Sequence, residues 1–255
     1  MTPARRAELA ANLAATQARV TAACAAAGRD PSEVTLIAVT KTRPAEDVVV
    51  LTELGQADFG ENRDQEAAPK AAEVAEAAMG PVRWHFIGQL QTNKASHVVR
   101  YASVVHSVDR VRLVRALGSA ARAANEAVEA HEAAAAAATA VPARPPLTCL
   151  LQVSLDGDAA RGGALISQLP EIAAAIEAER GLALGGVMAV APLGVAPETA
   201  FALLRPISDT VREINPAATI ISAGMSGDLE AAVRNGATHL RIGTALLGNR
   251  SRPVL

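Results

Sequence analysis

Lysine is scarce in this chain: the three that occur, Lys41, Lys70 and Lys94, stand against twenty-one arginines. Simple cation roles have gone to arginine, so a lysine beside an apolar segment is a candidate for amine chemistry. Lys41 is such a case, emerging in Thr40-Lys41-Thr42 at the end of the β-branched run 34–40. Low-dielectric walls around its amine would lower the pKa and free the neutral form, which condenses with an aldehyde to give a Schiff base. A solvated strand-end cation is the plain alternative, and location alone does not exclude it. Lys94, at a helix start after Thr92 and Asn93, reads first as a surface charge, and Lys70, in a polar helix after Pro69, as solvated.

Two segments near the C-terminus suit a phosphate. Ser222-Ala-Gly-Met-Ser-Gly-Asp228 is a glycine-containing turn with hydroxyls, in which Met225 and Ser226 would offer backbone amides. Arg241-Ile-Gly-Thr-Ala245 places Gly243 and Thr244 at the opening of another short helix. Taken singly, such turns are ordinary helix caps. Asn62 and His85 fall at two further strand ends, although a histidine in an apolar stretch is more often a hydrogen-bonded packing residue.

The elements that must position these residues alternate. Residues 3–27 carry a helical stripe of Leu9, Leu13, Val20 and Cys24, stopped by Gly28 and Asp30-Pro31. Strand-like runs then recur at 34–40, 57–60, 82–87, 103–107, 147–154, 182–190, 219–222 and 239–242, with helical patterns or short apolar turns between them. Eight strand and helix units with right-handed crossovers predict an α/β fold, a single (β/α)8 TIM-type barrel with an extra N-terminal helix. An open doubly wound sheet competes, but no G-x-G-x-x-G follows the first strand. In such barrels the strand C-termini form the active face and phosphate binds after strands seven and eight, where both turns lie. Pro69 is expected to break the second helix and start a new segment. The expected organisation is one domain, 1–255, with an N-terminal helix over 1–28 and an Ala/Pro-rich insertion over 119–146.

Composition excludes several classes. A net charge of −2 provides no field for nucleic acid. Cys24 and Cys149 lie far apart with no paired spacing, which argues for a reduced compartment and against a disulfide framework or metal site. No signal-peptide core or membrane-length apolar run is visible, so the expectation is a cytoplasmic protein without membrane contact.

Ala38-Val-Thr-Lys-Thr42, Phe59-Gly-Glu-Asn62, the run from Trp84 to Lys94, Ser222-Ala-Gly-Met-Ser226 and Arg241-Ile-Gly-Thr244 together resemble the pyridoxal phosphate homeostasis protein family over nearly the whole chain. The resemblance implies the alanine racemase N-terminal barrel, with pyridoxal 5′-phosphate held as a Schiff base on Lys41. It also implies Arg241 facing the pyridine nitrogen, Asn62 beside the ring, and the phosphate among Ser222, Met225, Ser226, Gly243 and Thr244. An arginine cannot give up a proton, so the ring nitrogen would stay unprotonated and the ring would be a weaker electron sink. Without the resemblance, Arg241 reads as readily as a strand-end cation paired with a carboxylate. Arg63 stands where many members carry an aromatic residue, and the alanine-rich insertion is longer than usual.

A racemase on this barrel needs a second proton-transfer group, a tyrosine supplied by an added β domain. Only thirteen residues follow Ile242, and the sole tyrosine, Tyr101, falls near the start of the fourth strand. The expectation is therefore a monomeric carrier and regulator of the cofactor, with no catalytic residue, and with apo pyridoxal phosphate enzymes as recipients. A low-turnover racemase or lyase is the runner-up, and a cofactor-free Schiff-base aldolase a third reading.

Overall fold

The computed structural model describes residues 1–134, 145–158 and 162–248. Eight parallel strands, β1 (Thr35–Val39), β2 (Asp58–Glu61), β3 (Arg83–Phe86), β4 (Ala102–Val108), β5 (Leu147–Gln152), β6 (Leu182–Met188), β7 (Ile220–Ser222) and β8 (His239–Ile242), close in sequence order. β1 pairs with β2 through Ala38 and Phe59 and with β8 through Ile37 and Arg241, which removes any open edge. The barrel expectation holds, and the doubly wound alternative does not. Each expected run coincides with one strand to within two residues at either end.

Helices α1 (Pro3–Ala26), α2 (Ala45–Glu53), α3 (Asp64–Ala77), α4 (Ala95–Tyr101), α5 (Val111–Ala134), α6 (Leu169–Ala178), α7 (Pro197–Ala202), α8 (Leu204–Ile214), α9 (Leu229–Arg234) and α10 (Thr244–Leu247) surround the strands. Thr2 caps α1 by accepting from the Arg5 amide at 3.2 Å, and Leu9, Leu13, Val20 and Cys24 pack that helix against α2, α9 and α10. The first part of the expected 119–146 insertion is the continuation of α5, and its centre lies outside the described residues.

The break expected at Pro69 is absent: α3 runs through it. Pro69 is solvent-exposed, so its missing N–H costs one bond on the wet side, while Ala67, Lys70, Ala71 and Val74 hold the opposite face against the barrel.

The core has two parts. Between strands and helices lies a large aliphatic layer that includes Ala38, Phe59, Trp84, Val105, Leu151, Val187 and Ile242. Inside the barrel, Val104, Leu150 and Met188 form a small separate cluster with Ile220 against it. Such interiors are usually filled by branched aliphatic residues. Here the remaining space holds buried Asp58, His85, His106, Ser222 and Arg241. Cys24 and Cys149 are both buried and free, and burial pushes the Cys149 thiol up to about 12. No helix among the described residues is long and apolar enough to cross a membrane.

Candidate functional site

Lys41 leaves the barrel mouth one turn beyond β1. Alternation along β1 turns Ile37 and Val39 inward, since a Cβ built on Gly60 of β2 would meet both side chains. Thr40 turns outward, where its hydroxyl donates to Glu61 Oε1 at 2.7 Å. The next residue, Lys41, opens the turn and is half-buried. The turn that presents it is strained: Thr42 has φ +64°, a left-handed conformation that costs a β-branched residue roughly 1–3 kcal/mol. Two hydrogen bonds hold it there, from the Arg43 amide to the Thr40 carbonyl at 3.0 Å and from the Thr42 amide to Glu66 Oε2 at 3.1 Å.

Behind this turn stands a second lysine, and here the solvated reading of Lys70 is overturned. Its side chain is 7% exposed, and Nζ donates to the Thr40 carbonyl at 2.8 Å and to Glu61 Oε1 at 2.6 Å. Burial raises the Glu61 carboxyl above its ordinary value, against the pull of Lys70, and Glu61 Oε2 is buried with no hydrogen-bond partner. The signal was present in the sequence: Lys70 shares the α3 face of Ala67, Ala71 and Val74, and Glu61 ends an otherwise buried strand.

Arg241 lies across the β1–β8 seam, 5% exposed. Nη1 donates to Ser222 Oγ at 2.7 Å and Nη2 to the Ala189 carbonyl at 2.9 Å, both neutral acceptors, so the carboxylate partner weighed for it is not among these contacts. Desolvation brings the guanidinium down to about 10, with Asp228 acting in the opposite direction. Ser222 Oγ in turn lies 2.9 Å from His106 Nδ1, His106 Nε2 lies 2.9 Å from His85 Nδ1, and His85 Nε2 lies 2.8 Å from Asp58 Oδ1. Arg83 grips Asp58 with two bonds of 2.8 and 2.6 Å. Burial opposes ionisation of Asp58, but the bonds from His85 and Arg83 outweigh it and hold the carboxyl at about 2. His85 is thus a buried member of an internal network, not a residue of the mouth. His106 and Asp58, missed in the sequence, carry the alternation signal of polar residues at inward positions of β4 and β2.

The two C-terminal turns meet: the Ala245 amide donates to Ser226 Oγ at 3.2 Å. Gly224 has φ +90°, and a Cβ there would lie 2.6 Å from that of Ala232, so glycine is required by the fold. Gly243 differs, because its φ of −110° suits any residue and a Cβ would sit an ordinary 3.6 Å from Val39. α9 starts only at Leu229, so the expected amide of Met225 does not belong to a helix end; it already donates to Asp228 Oδ1 at 2.5 Å. Ser226 is half-buried and Thr244 exposed on the same side. Asn62 is half-buried, and Gly88 packs so closely on it that a Cβ would reach 2.1 Å from its carbonyl oxygen. Lys94 lines a cavity of about 520 Å³ with Asn62, Glu66 and Gln89, its Nζ 3.7 Å from Asp64 Oδ2. Tyr101 ends α4, at the N-terminal edge of β4 and the opposite end of the barrel from Lys41.

Residues 11–251 match the sequence profile of the alanine racemase N-terminal domain. A curated relative from Mycobacterium tuberculosis, named pyridoxal phosphate homeostasis protein, is 42% identical over 97% of this chain and 95% of its own. The chain belongs to the pyridoxal phosphate homeostasis protein family. A family member of the same name from Escherichia coli K12 is 33% identical over 95% of this chain and 97% of its own. Among solved structures, PipY of Synechococcus elongatus with pyridoxal phosphate bound superimposes with a TM-score of 0.73 at 30% identity, covering 94% of this chain and all of that one. Alanine racemase from Corynebacterium glutamicum, 12% identical with a TM-score of 0.64, shares the fold over 62% of its length.

Proposed function

We propose that this family member holds pyridoxal 5′-phosphate as a Schiff base on Lys41 and serves as a carrier and regulator of that cofactor, delivering it to apo enzymes. The observation that carries the reading is Arg241, a guanidinium buried at the seam with the strand that leads to Lys41 and bonded, among the described residues, to the neutral acceptors Ser222 Oγ and the Ala189 carbonyl. A buried cation so held is suited to a ligand atom that accepts a hydrogen bond without a charge, such as a pyridine nitrogen. At about 10 it remains charged at neutral pH, so it donates to that nitrogen and does not protonate it.

When bound, the cofactor supplies an aldehyde carbon and an electron-withdrawing ring. Lys41 contributes the amine that bonds to the aldehyde, with loss of water. Asn62 stands beside the ring, while Ser222, Met225, Ser226, Gly243 and Thr244 take the phosphate. Two findings support that set: the Ser226 bond that joins the two turns and the Gly243 position, whose glycine the fold itself does not demand; the Met225 amide joins it by exchanging its bond to Asp228 for one to a phosphate oxygen.

A carrier is favoured over a racemase because the sole tyrosine, Tyr101, lies at the far end of the barrel with a raised pKa from burial, leaving Lys41 without a tyrosine across the mouth. The same reading holds the protein to be a single-domain, monomeric, cytoplasmic one. The experiment is borohydride reduction of cofactor-saturated protein followed by peptide mapping. A pyridoxyl group on Lys41, absent from Lys41→Ala, is expected, and its recovery on Lys70 or Lys94 instead would refute the reading. Sustained interconversion of amino-acid enantiomers by the loaded protein would refute the carrier role alone.

A further inference from the structure

The polar groups inside the barrel form one continuous chain from its floor to its mouth, and their donors and acceptors can be assigned one by one. Arg241 has only donors, so Nη1–H points at Ser222 Oγ. Asp58, held ionised by Arg83, has only acceptors, so His85 Nε2 must carry a hydrogen toward it. Between these fixed ends, one arrangement satisfies every group with neutral histidines. Ser222 O–H donates to His106 Nδ1, His106 Nε2–H donates to His85 Nδ1, and His85 Nε2–H donates to Asp58 Oδ1. The reverse direction would require a doubly protonated His85 and leave the Ser222 hydroxyl hydrogen without an acceptor among the described residues.

Charge gives the chain a purpose. Arg241 is buried with no carboxylate among its hydrogen-bond partners in the described residues, and the anion that balances it across the barrel interior, Asp58, lies four hydrogen bonds away. Every donor in the chain points from the cation toward the anion, so each bond polarises the next. His239, whose ring centroid lies 6.2 Å from that of His85, and Arg83 are the other titratable groups that flank the chain, and Asp228 stands near its upper end.

We propose that Asp58, His85 and His106 are positioning residues that act through Ser222 to fix the orientation and field of Arg241, and so set how tightly a pyridoxal ring is held and where it absorbs. The inference rests on the cofactor reading above, and goes beyond it to residues that touch no ligand. Breaking the chain in its middle frees the Ser222 hydroxyl to rotate and leaves buried donors unmatched, which lowers affinity by about 10-fold.

Histidine-selective nitrogen NMR of the cofactor-free protein tests the direction of the chain. Both His106 and His85 are expected as Nε2–H tautomers; a hydrogen on Nδ1 of either ring overturns the assignment. Titration with pyridoxal 5′-phosphate at fixed pH then tests its effect in three variants. His106→Leu and Asp58→Asn are expected to bind about 10-fold more weakly and to shift the absorption maximum of the bound cofactor. His106→Gln, whose amide can accept from Ser222 and donate to His85, restores both. Wild-type affinity and spectrum in His106→Leu or in the nearly isosteric Asp58→Asn overturn the proposal, even where thermal melting shows either variant to be less stable. If the wild type takes no pyridoxyl on Lys41, the carrier reading fails, while the tautomers still decide the direction of the chain.

Discussion

Acidification from pH 7 to pH 5 should weaken this fold through its buried histidines. The His239 imidazolium is disfavoured by burial and by neighbouring His85, so its pKa falls from 6.5 to about 4. Between those values the unfolded chain binds a proton that the folded barrel does not, and each step down in pH therefore favours unfolding. The contribution is complete above pH 6.5 and is lost as pH falls toward 4. At about 1.4 kcal/mol per pH unit the whole gap is worth roughly 3 kcal/mol, of which about 2 kcal/mol is lost by pH 5. His106, fully buried, shifts in the same direction and adds to the loss. Glu61, whose carboxyl is raised above 4.5, runs the other way, because its folded form takes up the proton first. Comparison with His239→Gln cancels both. Urea unfolding at constant ionic strength should show wild type losing about 2 kcal/mol more than the variant between pH 7 and pH 5. Equal losses in the two proteins would refute the assignment of His239 as a neutral, half-buried base.

Lys70→Met should destabilise the barrel by about 3–5 kcal/mol in urea unfolding, because it strands the Glu61 carboxylate, and adding Glu61→Gln should recover much of that. Gly224→Ala should cost roughly 1–3 kcal/mol through its left-handed backbone and the clash with Ala232, visible as a lower Tm. Gly243→Ala should leave Tm within a degree or two, yet weaken pyridoxal phosphate binding measured by equilibrium titration, since only a ligand needs that space. Asp228→Asn should bind inorganic phosphate roughly 3- to 10-fold more tightly by calorimetry, because the Met225 amide no longer faces a charged competitor.

The strand count and the closure were legible in the sequence because strands buried on both faces read as apolar runs at regular spacing. Lys70 was misread because helix polarity was judged by composition, whereas its buried face depends on which residues share its register with Ala67 and Val74. Pro69 was misread for the complementary reason: a local rule about backbone donors was outweighed by tertiary packing of the face it does not occupy. His85 was read as a packing residue more readily than as a residue of the mouth, and its bonds to His106 and Asp58 put it in that internal role. The pairing of His85 with His106, and of His106 with Ser222, joins β3, β4 and β7, and no spacing along the chain encodes which inward residues meet across a closed barrel.

Both sides of the mouth are held by buried charge, but in different ways, and the difference bears on how a cofactor could be released. Under Lys41 the support is short and direct: Lys70 and Glu61 clamp the Thr40 carbonyl and hydroxyl, while the Arg43 amide and Glu66 hold the strained turn at Thr42. Under Arg241 the support is a line of neutral hydrogen bonds to a distant carboxylate, which sets orientation but adds no adjacent anion. A carboxylate touching Arg241 would make the guanidinium indifferent to a neutral ring; its absence from those contacts leaves attraction for one, without the stronger grip a protonated ring nitrogen and paired carboxylate would give. A phosphate at the proposed site would meet the same compromise, since Asp228 already occupies the Met225 amide and would have to be displaced. On the proposed reading, ring and phosphate would both be held against a resident competitor or by a neutral contact, and a site of that kind would give up its ligand more readily than one built for permanent occupancy, as transfer to another protein requires.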